Sequence, residues 1–214
     1  MSDRFWLSRT GTHELIHQCF ADAEASYEDA RYALFGVPYD GTTSFRPGAR
    51  FGPRAIREAS FNFESYDPST GIDLYEVPMI DLGDLVVSKV PEGLVGQVAD
   101  VVGDLAGDGK VPVMLGGEHT ATIGAVRALC PDVYIVCDAH LDLRDELDGT
   151  ACSHGCVTRR VLETVDEIVI IGARSGDREQ FEIADEMTGL YTADIVRERG
   201  IDVVIGEILG EVEG

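Results

Sequence analysis

Asp138, His140 and Asp142 alternate in the stretch D-A-H-L-D, directly after the apolar run V-Y-I-V-C at 133 to 137. In extended chain, side-chain direction repeats every two residues, so the three groups point the same way. The run before them is β-branched and aromatic and reads as a buried strand. A hydrophobic strand that ends in carboxylate, imidazole and carboxylate needs a partner for that ionic character, and a divalent cation is the simplest one. Oxygen and imidazole donors without thiolate suit Mn²⁺ or a similar ion better than structural zinc. The alternative is a solvated strand end carrying a chance D-x-H-x-D.

Two further histidines bear on the same chemistry. His119 closes G-G-E-H at 116 to 119, directly after the apolar strand V-P-V-M-L at 111 to 115. Glycines permit a sharp turn and close packing there. If the 111–115 and 133–137 strands are parallel neighbours joined by a helical crossover, His119 and the 138–142 group reach one edge of one sheet. His154, in S-H-G, lies twelve residues after Asp142. A loop of that length can return its imidazole over the metal edge without ligating. Its ordinary pKa near neutrality suits proton transfer, while an N-cap or surface histidine reads equally well.

Other donor pairs are weaker. His13 and His17 sit four apart on an expected helix over 12–25, with no acidic arrangement around them, and read as surface residues. Cys152 and Cys156 have zinc-like spacing, but two further ligands at matching spacing are missing. The five cysteines, an odd count, and a start without an apolar signal core favour reduced thiols inside a cell.

The elements that must position these residues alternate β and α. Strands are expected at 33–39, 77–82, 111–115, 133–137 and 167–172. Helices are expected after Pro53, over 91–108, through Ile123, Val126 and Leu129, after Ser153, and over 178–187, 192–200 and 201–214. The Gly-, Pro- and Arg-rich stretch 40–54 reads as a loop after a strand, where sites in α/β proteins commonly lie. Arg46, Arg50 and Arg54 read as ties from that loop to carbonyls and carboxylates. Residues 60–76 read as irregular. At 214 residues the chain is expected to be one α/β domain on a mostly parallel sheet.

The formal charge of −22 argues against non-specific binding to nucleic acid or to an anionic membrane, since both need a basic face. No apolar run reaches the length of a membrane span. Lys89 and Lys110 are the two lysines. An acid-rich, lysine-poor surface suits a halophilic cytoplasm, where salt screens self-repulsion; an acidic mesophilic enzyme is the alternative.

The motifs together resemble the ureohydrolases: arginase, agmatinase and their relatives. Y-D-G-T-T-S-F-R-P-G-A-R-F-G-P-R-A-I-R-E-A-S at 39 to 60 is similar to the substrate-side loop and helix of the agmatinase branch. G-G-E-H, D-A-H-L-D and S-H-G are similar to three of the family's site motifs. The resemblance implies a three-layer α/β/α sandwich with two Mn²⁺ ions per site. It also implies a cytoplasmic, commonly homo-oligomeric enzyme that hydrolyses a guanidinium group to urea and an amine by a metal-bridging hydroxide. Carried over, His119 and Asp142 would hold one manganese and His140 the other, with Asp138 bridging, and His154 would shuttle the proton. The 39–60 loop favours agmatine, giving putrescine, over arginine; guanidinobutyrate and formiminoglutamate relatives share the metal motifs. Substrate-binding residues are not assigned.

Two departures stand out. Glu118 replaces the more usual Asp. No D-x-D follows Asp142, although the family takes two more carboxylates from such a motif on a later strand. The expectation is therefore an agmatinase-like domain lacking its C-terminal part, or a homologue that binds metal weakly without turnover.

Overall fold

Six residues, Tyr32–Val37, form β1, and all but the first are buried. A strand hydrogen-bonded on both sides, with its side chains covered, reads as a near-continuous apolar run. The structure, a computed structural model, describes residues 19–187 and 189–212. They divide into two compact units.

In the first unit β1 is the centre of a parallel sheet of order β4-β1-β5, with β4 at Met79–Asp84 and β5 at Val111–Gly116. Helix α1, Gly52–Ser60, starts with a proline in its first turn, where a missing N–H costs nothing. Its buried face is Pro53, Arg57 and Ser60, while Ile56 is exposed. Arg57 docks by ion pairing: Nε and Nη2 reach both oxygens of Asp81 at 2.7 and 2.8 Å, and Nη1 reaches Asp84. Asp81 also accepts from the N–H of Phe20 at 2.7 Å and of Gly83 at 2.9 Å. The arginines expected to tie the loop do less. Arg50 reaches Asp40 at 3.2 Å, Arg54 pairs with Glu58 in the open, and Arg46 lies over the Phe45 ring. Residues 60–76 hold a short antiparallel pair, β2 (Tyr66–Asp67) with β3 (Ile72–Asp73), then a 3₁₀ turn at Leu74–Glu76.

The expected helix over 12–25 is not found where it can be described. His13 and His17 lie outside the described residues. From Cys19 to Ala25 the chain makes a turn at 21–22 and then bridges β4, Glu24 to Ile80, with Ala25 N–H donating to Met79 O at 2.9 Å. Phe20 and Ala23 pack with Leu34 and Met79. That tertiary contact overrides the helical spacing.

In the second unit β6 (Val133–Cys137), β7 (Glu167–Ala173) and β8 (Gly189–Thr192) form a parallel sheet in that order. Only four residues long, β8 is an element the sequence reading did not anticipate. It lies close on β7 because position 189 is glycine; a Cβ there would stand 2.8 Å from Val169 Cα. Helices α2 (Pro91–Gly107) and α3 (Ala121–Leu129) precede this sheet in sequence. Then follow α4 (Val157–Val161), α5 (Arg178–Ala184), α6 (Ala193–Arg199) and α7 (Ile201–Val212). The core joins Val95 of α2, Ile123 and Val126 of α3, Tyr134 of β6, Val157 and Val161 of α4 and Ile168 and Ile170 of β7.

The class is α/β with parallel sheets, as expected. One expectation needs correcting. β5 and β6 are not paired neighbours: β5 is hydrogen-bonded to β1 and β6 to β7, in separate three-stranded sheets. No helix among the described residues is long and apolar enough to cross a membrane.

Candidate metal centre

The site begins with a corner that only glycine permits. After β5, Gly117 N–H donates to Val37 O at 2.9 Å and Glu118 N–H to Tyr39 O at 2.8 Å. A Cβ on Gly117 would stand 2.1 Å from the Tyr39 carbonyl oxygen, so no side chain fits without moving backbone. Gly117→Ala is therefore expected to shift the corner that leads into His119. It should lower the melting temperature and weaken Mn²⁺ uptake together, measured by calorimetry and by metal titration. Unchanged values in both would mean the corner tolerates a side chain.

His119 is half-buried, with Nδ1 2.8 Å from Asp142 Oδ2 and 3.4 Å from Asp138 Oδ2. Its other nitrogen, Nε2, is 3.3 Å from the Tyr134 hydroxyl. The donor atoms of His119, Asp138 and Asp142 all lie within 4.8 Å of one another. One imidazole and two carboxylates around a common point are a hard, mixed N/O donor set that fits a divalent ion such as Mn²⁺.

Strand alternation is not what gathers them. β6 ends at Cys137, and Asp142 takes a left-handed backbone, φ 51°. Aspartate tolerates this conformation better than most residues. The neighbouring chain is pinned: Leu141 and Leu143 are buried, Asp142 O accepts from Arg159 N–H at 3.1 Å, and Leu143 N–H donates to Gln180 Oε1 at 3.1 Å. Asp138 and Asp142 thus converge on His119, whereas the His140 side chain is 64 % exposed. His140 Nδ1 is 3.3 Å from Asp138 Oδ1, and its own N–H donates to that oxygen at 2.8 Å. Asp138 therefore lies between two imidazoles, one on each oxygen, but His140 stands outside the three-residue donor group.

His154 opens a 3₁₀ turn, His154–Cys156, and is not part of that group either. Its N–H donates to Thr42 Oγ1 at 3.4 Å. The same oxygen is 3.5 Å from His154 Nδ1 and 3.3 Å from Thr120 Oγ1, the residue next to His119. Cys152 and Cys156 are buried, and burial pushes both thiols up, away from the thiolate form a zinc site requires.

Sequence reasoning overlooked Tyr134. The available signal was its inward register on β6, since a buried tyrosine usually finds a partner for its hydroxyl. Burial, with Asp142 and Asp138 nearby, raises its pKa and keeps the phenol protonated.

The profile of the arginase family matches residues 30–214. The N(1)-aminopropylagmatine ureohydrolase of Thermococcus kodakarensis is 45% identical over 162 residues, 74% of this chain and 56% of that protein. The agmatinase of Pyrococcus horikoshii is 41% identical over 161 residues, 74% of this chain and 57% of its own length. The chain thus spans little more than half the length of these curated relatives. The crystal structure of agmatine ureohydrolase from Thermoplasma volcanium superposes with a TM-score of 0.85 at 44% identity, covering 92% of this chain and 68% of that one. With the fold, the profile and these relatives in agreement, the chain belongs to the arginase family, in its agmatinase-like branch.

Proposed function

We propose that this chain serves manganese-dependent hydrolysis of a guanidinium compound, agmatine or its aminopropyl derivative, to urea and an amine. The observation that carries the reading is the convergence of His119, Asp138 and Asp142, with His140 on the far oxygen of Asp138. The relatives at 41–45% identity are named for agmatine and N(1)-aminopropylagmatine, which supports the choice of substrate.

His119 and Asp142 would hold one ion and His140 the other, with Asp138 shared between them. When bound, such a pair of cations makes hydroxide available from water at neutral pH. His154, held at its backbone and near Nδ1 by Thr42, would carry a proton to the departing amine. A homo-oligomer in a salt-rich cytoplasm completes the proposal. A second reading is metal binding without turnover by these 214 residues, in which no D-x-D follows Asp142.

The test is Mn²⁺ uptake and urea release for the 214-residue chain and for the product of its full coding sequence, with His140→Ala of each. Agmatine, N(1)-aminopropylagmatine, arginine and guanidinobutyrate are the substrates, with formiminoglutamate followed by formamide release because its formimino carbon cannot give urea. Urea from the first two, lost in the variant, is the expected result for the full product. Metal uptake without urea supports the second reading, and no uptake by either protein overturns both.

A further inference from the structure

A neutral imidazole carries one N–H, so a histidine that ligates through Nδ1 must hold its proton on Nε2. In His119 the two nitrogens face different surroundings. Nδ1 meets the carboxylates of Asp142 and Asp138, and Nε2 meets the hydroxyl of Tyr134. The Tyr134 ring is buried in the core among Val95, Ile123, Val126 and Val161, so its position is set by packing rather than by the site. It comes from β6, the strand that leads into Asp138, and so ties the histidine after β5 to the strand that supplies its carboxylate neighbours.

We propose that Tyr134 is the positioning residue of His119, holding the imidazole through Nε2 so that the Nδ1 lone pair is presented to a divalent cation. A phenol suits both states of the site because its hydroxyl both donates and accepts. Without metal, the 2.8 Å approach of Nδ1 to Asp142 Oδ2 is that of an N–H donating to a carboxylate, and the phenol can then donate to Nε2. When a cation takes the Nδ1 lone pair, the proton resides on Nε2 and the phenol accepts it. A carboxylate in this place would add a third negative charge beside Asp138 and Asp142. Phenylalanine would fill the same space and leave Nε2–H without an acceptor. Ligating histidines commonly give their second nitrogen such a partner, and its loss weakens metal binding. The inference rests on the reading of His119 as a ligand.

The test is a double-mutant cycle on Mn²⁺ affinity of the full 214-residue chain, read from the free Mn²⁺ signal by electron paramagnetic resonance. Tyr134→Phe should weaken binding about tenfold, the lower end for loss of such a partner. His119→Asn keeps an oxygen donor near the Nδ1 position and has nothing to offer Tyr134. In that background Tyr134→Phe should change affinity by less than about twofold, within the spread expected of uncoupled sites. Equal losses in both backgrounds, or none in either, overturn the proposal. Should the 214-residue wild type take up no Mn²⁺, the ligand reading of His119 fails for this chain, and the pairing is decided in metal-free protein by nitrogen-15 NMR. The His119 Nε2 resonance moves on Tyr134→Phe if the hydroxyl is its partner, and an unmoved resonance overturns the pairing. Unchanged thermal unfolding confirms that phenylalanine keeps the packing.

Discussion

Asn in place of Asp138 is expected to lower Mn²⁺ affinity by on the order of a hundredfold or more, since loss of even an outer-shell partner costs 10–100-fold. The expectation follows from how this carboxylate is used. Oδ2 faces His119 Nδ1 at 3.4 Å and Oδ1 faces His140 Nδ1 at 3.3 Å, while Oδ1 also accepts the His140 N–H. An amide keeps the shape but replaces one acceptor oxygen by an NH₂ group and removes the negative charge. Whichever way the amide turns, one of the two imidazoles then faces a donor. His140→Ala should cost less at the His119 end of the site, because His140 stands outside the three-residue donor group. Metal titration of the two variants compares the effects. Asp138→Asn affinity within about threefold of wild type, far below the range for lost outer-shell partners, would contradict the proposed centre.

The second large effect concerns stability. Arg57→Met is expected to destabilise the first unit by about 3–5 kcal/mol, the cost of breaking a buried ion pair on one side. The side chains of Arg57 and Asp81 are 3 % and 1 % exposed, and two of the three guanidinium nitrogens bond to Asp81. Removing the guanidinium leaves a buried carboxylate with two backbone N–H partners, from Phe20 and Gly83. Adding Asp81→Leu should recover part of the loss, since it removes the stranded charge, although those two N–H groups then lose their acceptor. Chemical denaturation of the single and double variants measures both effects, and a single-variant loss below about 1 kcal/mol, typical of surface pairs, would refute the assignment.

The same pair sets an acid limit. Burial raises the Asp81 pKa, but hydrogen bonds from Arg57, Gly83 and Phe20 outweigh it and hold the group below the usual carboxylate range. A depressed pKa in the folded state contributes stability that is fully present above the unfolded value, about 3.9. That contribution is lost as pH falls from there through the folded value. Wild type should therefore lose stability below about pH 4, and Arg57→Met should show a shallower acid slope.

Local periodicity and turn chemistry carried most of the element positions. The apolar run before Asp138 is β6 at the bounds its residues suggest, and the strand before Gly116 is β5 with one residue added. The 91–108 stripe is α2. The glycine pair at 116 and 117 is legible as a corner because it follows an apolar strand; the contact with Tyr39 that requires glycine at 117 is not. What eluded the sequence depends on partners distant in the chain. Arg57 lies on the buried face of α1, and its importance comes from Asp81, 24 residues away. The stretch from Cys19 to Ala25 has helical spacing but is spent on β4. β8 is too short to announce itself and exists because β7 offers it an edge.

Taken alone, the sequence determined which kinds of donor this protein owns, the order of most of its strands and helices along the chain, and the family its motifs resemble. These follow from side-chain chemistry and from periodicity within a few residues. Tertiary structure alone decided how the donors meet. A left-handed aspartate, rather than strand alternation, brings Asp142 to His119, and a tyrosine fifteen residues on takes the other nitrogen. A hydrogen bond depends on position to within a fraction of an ångström, and that precision arises only when packed elements fix both partners at once.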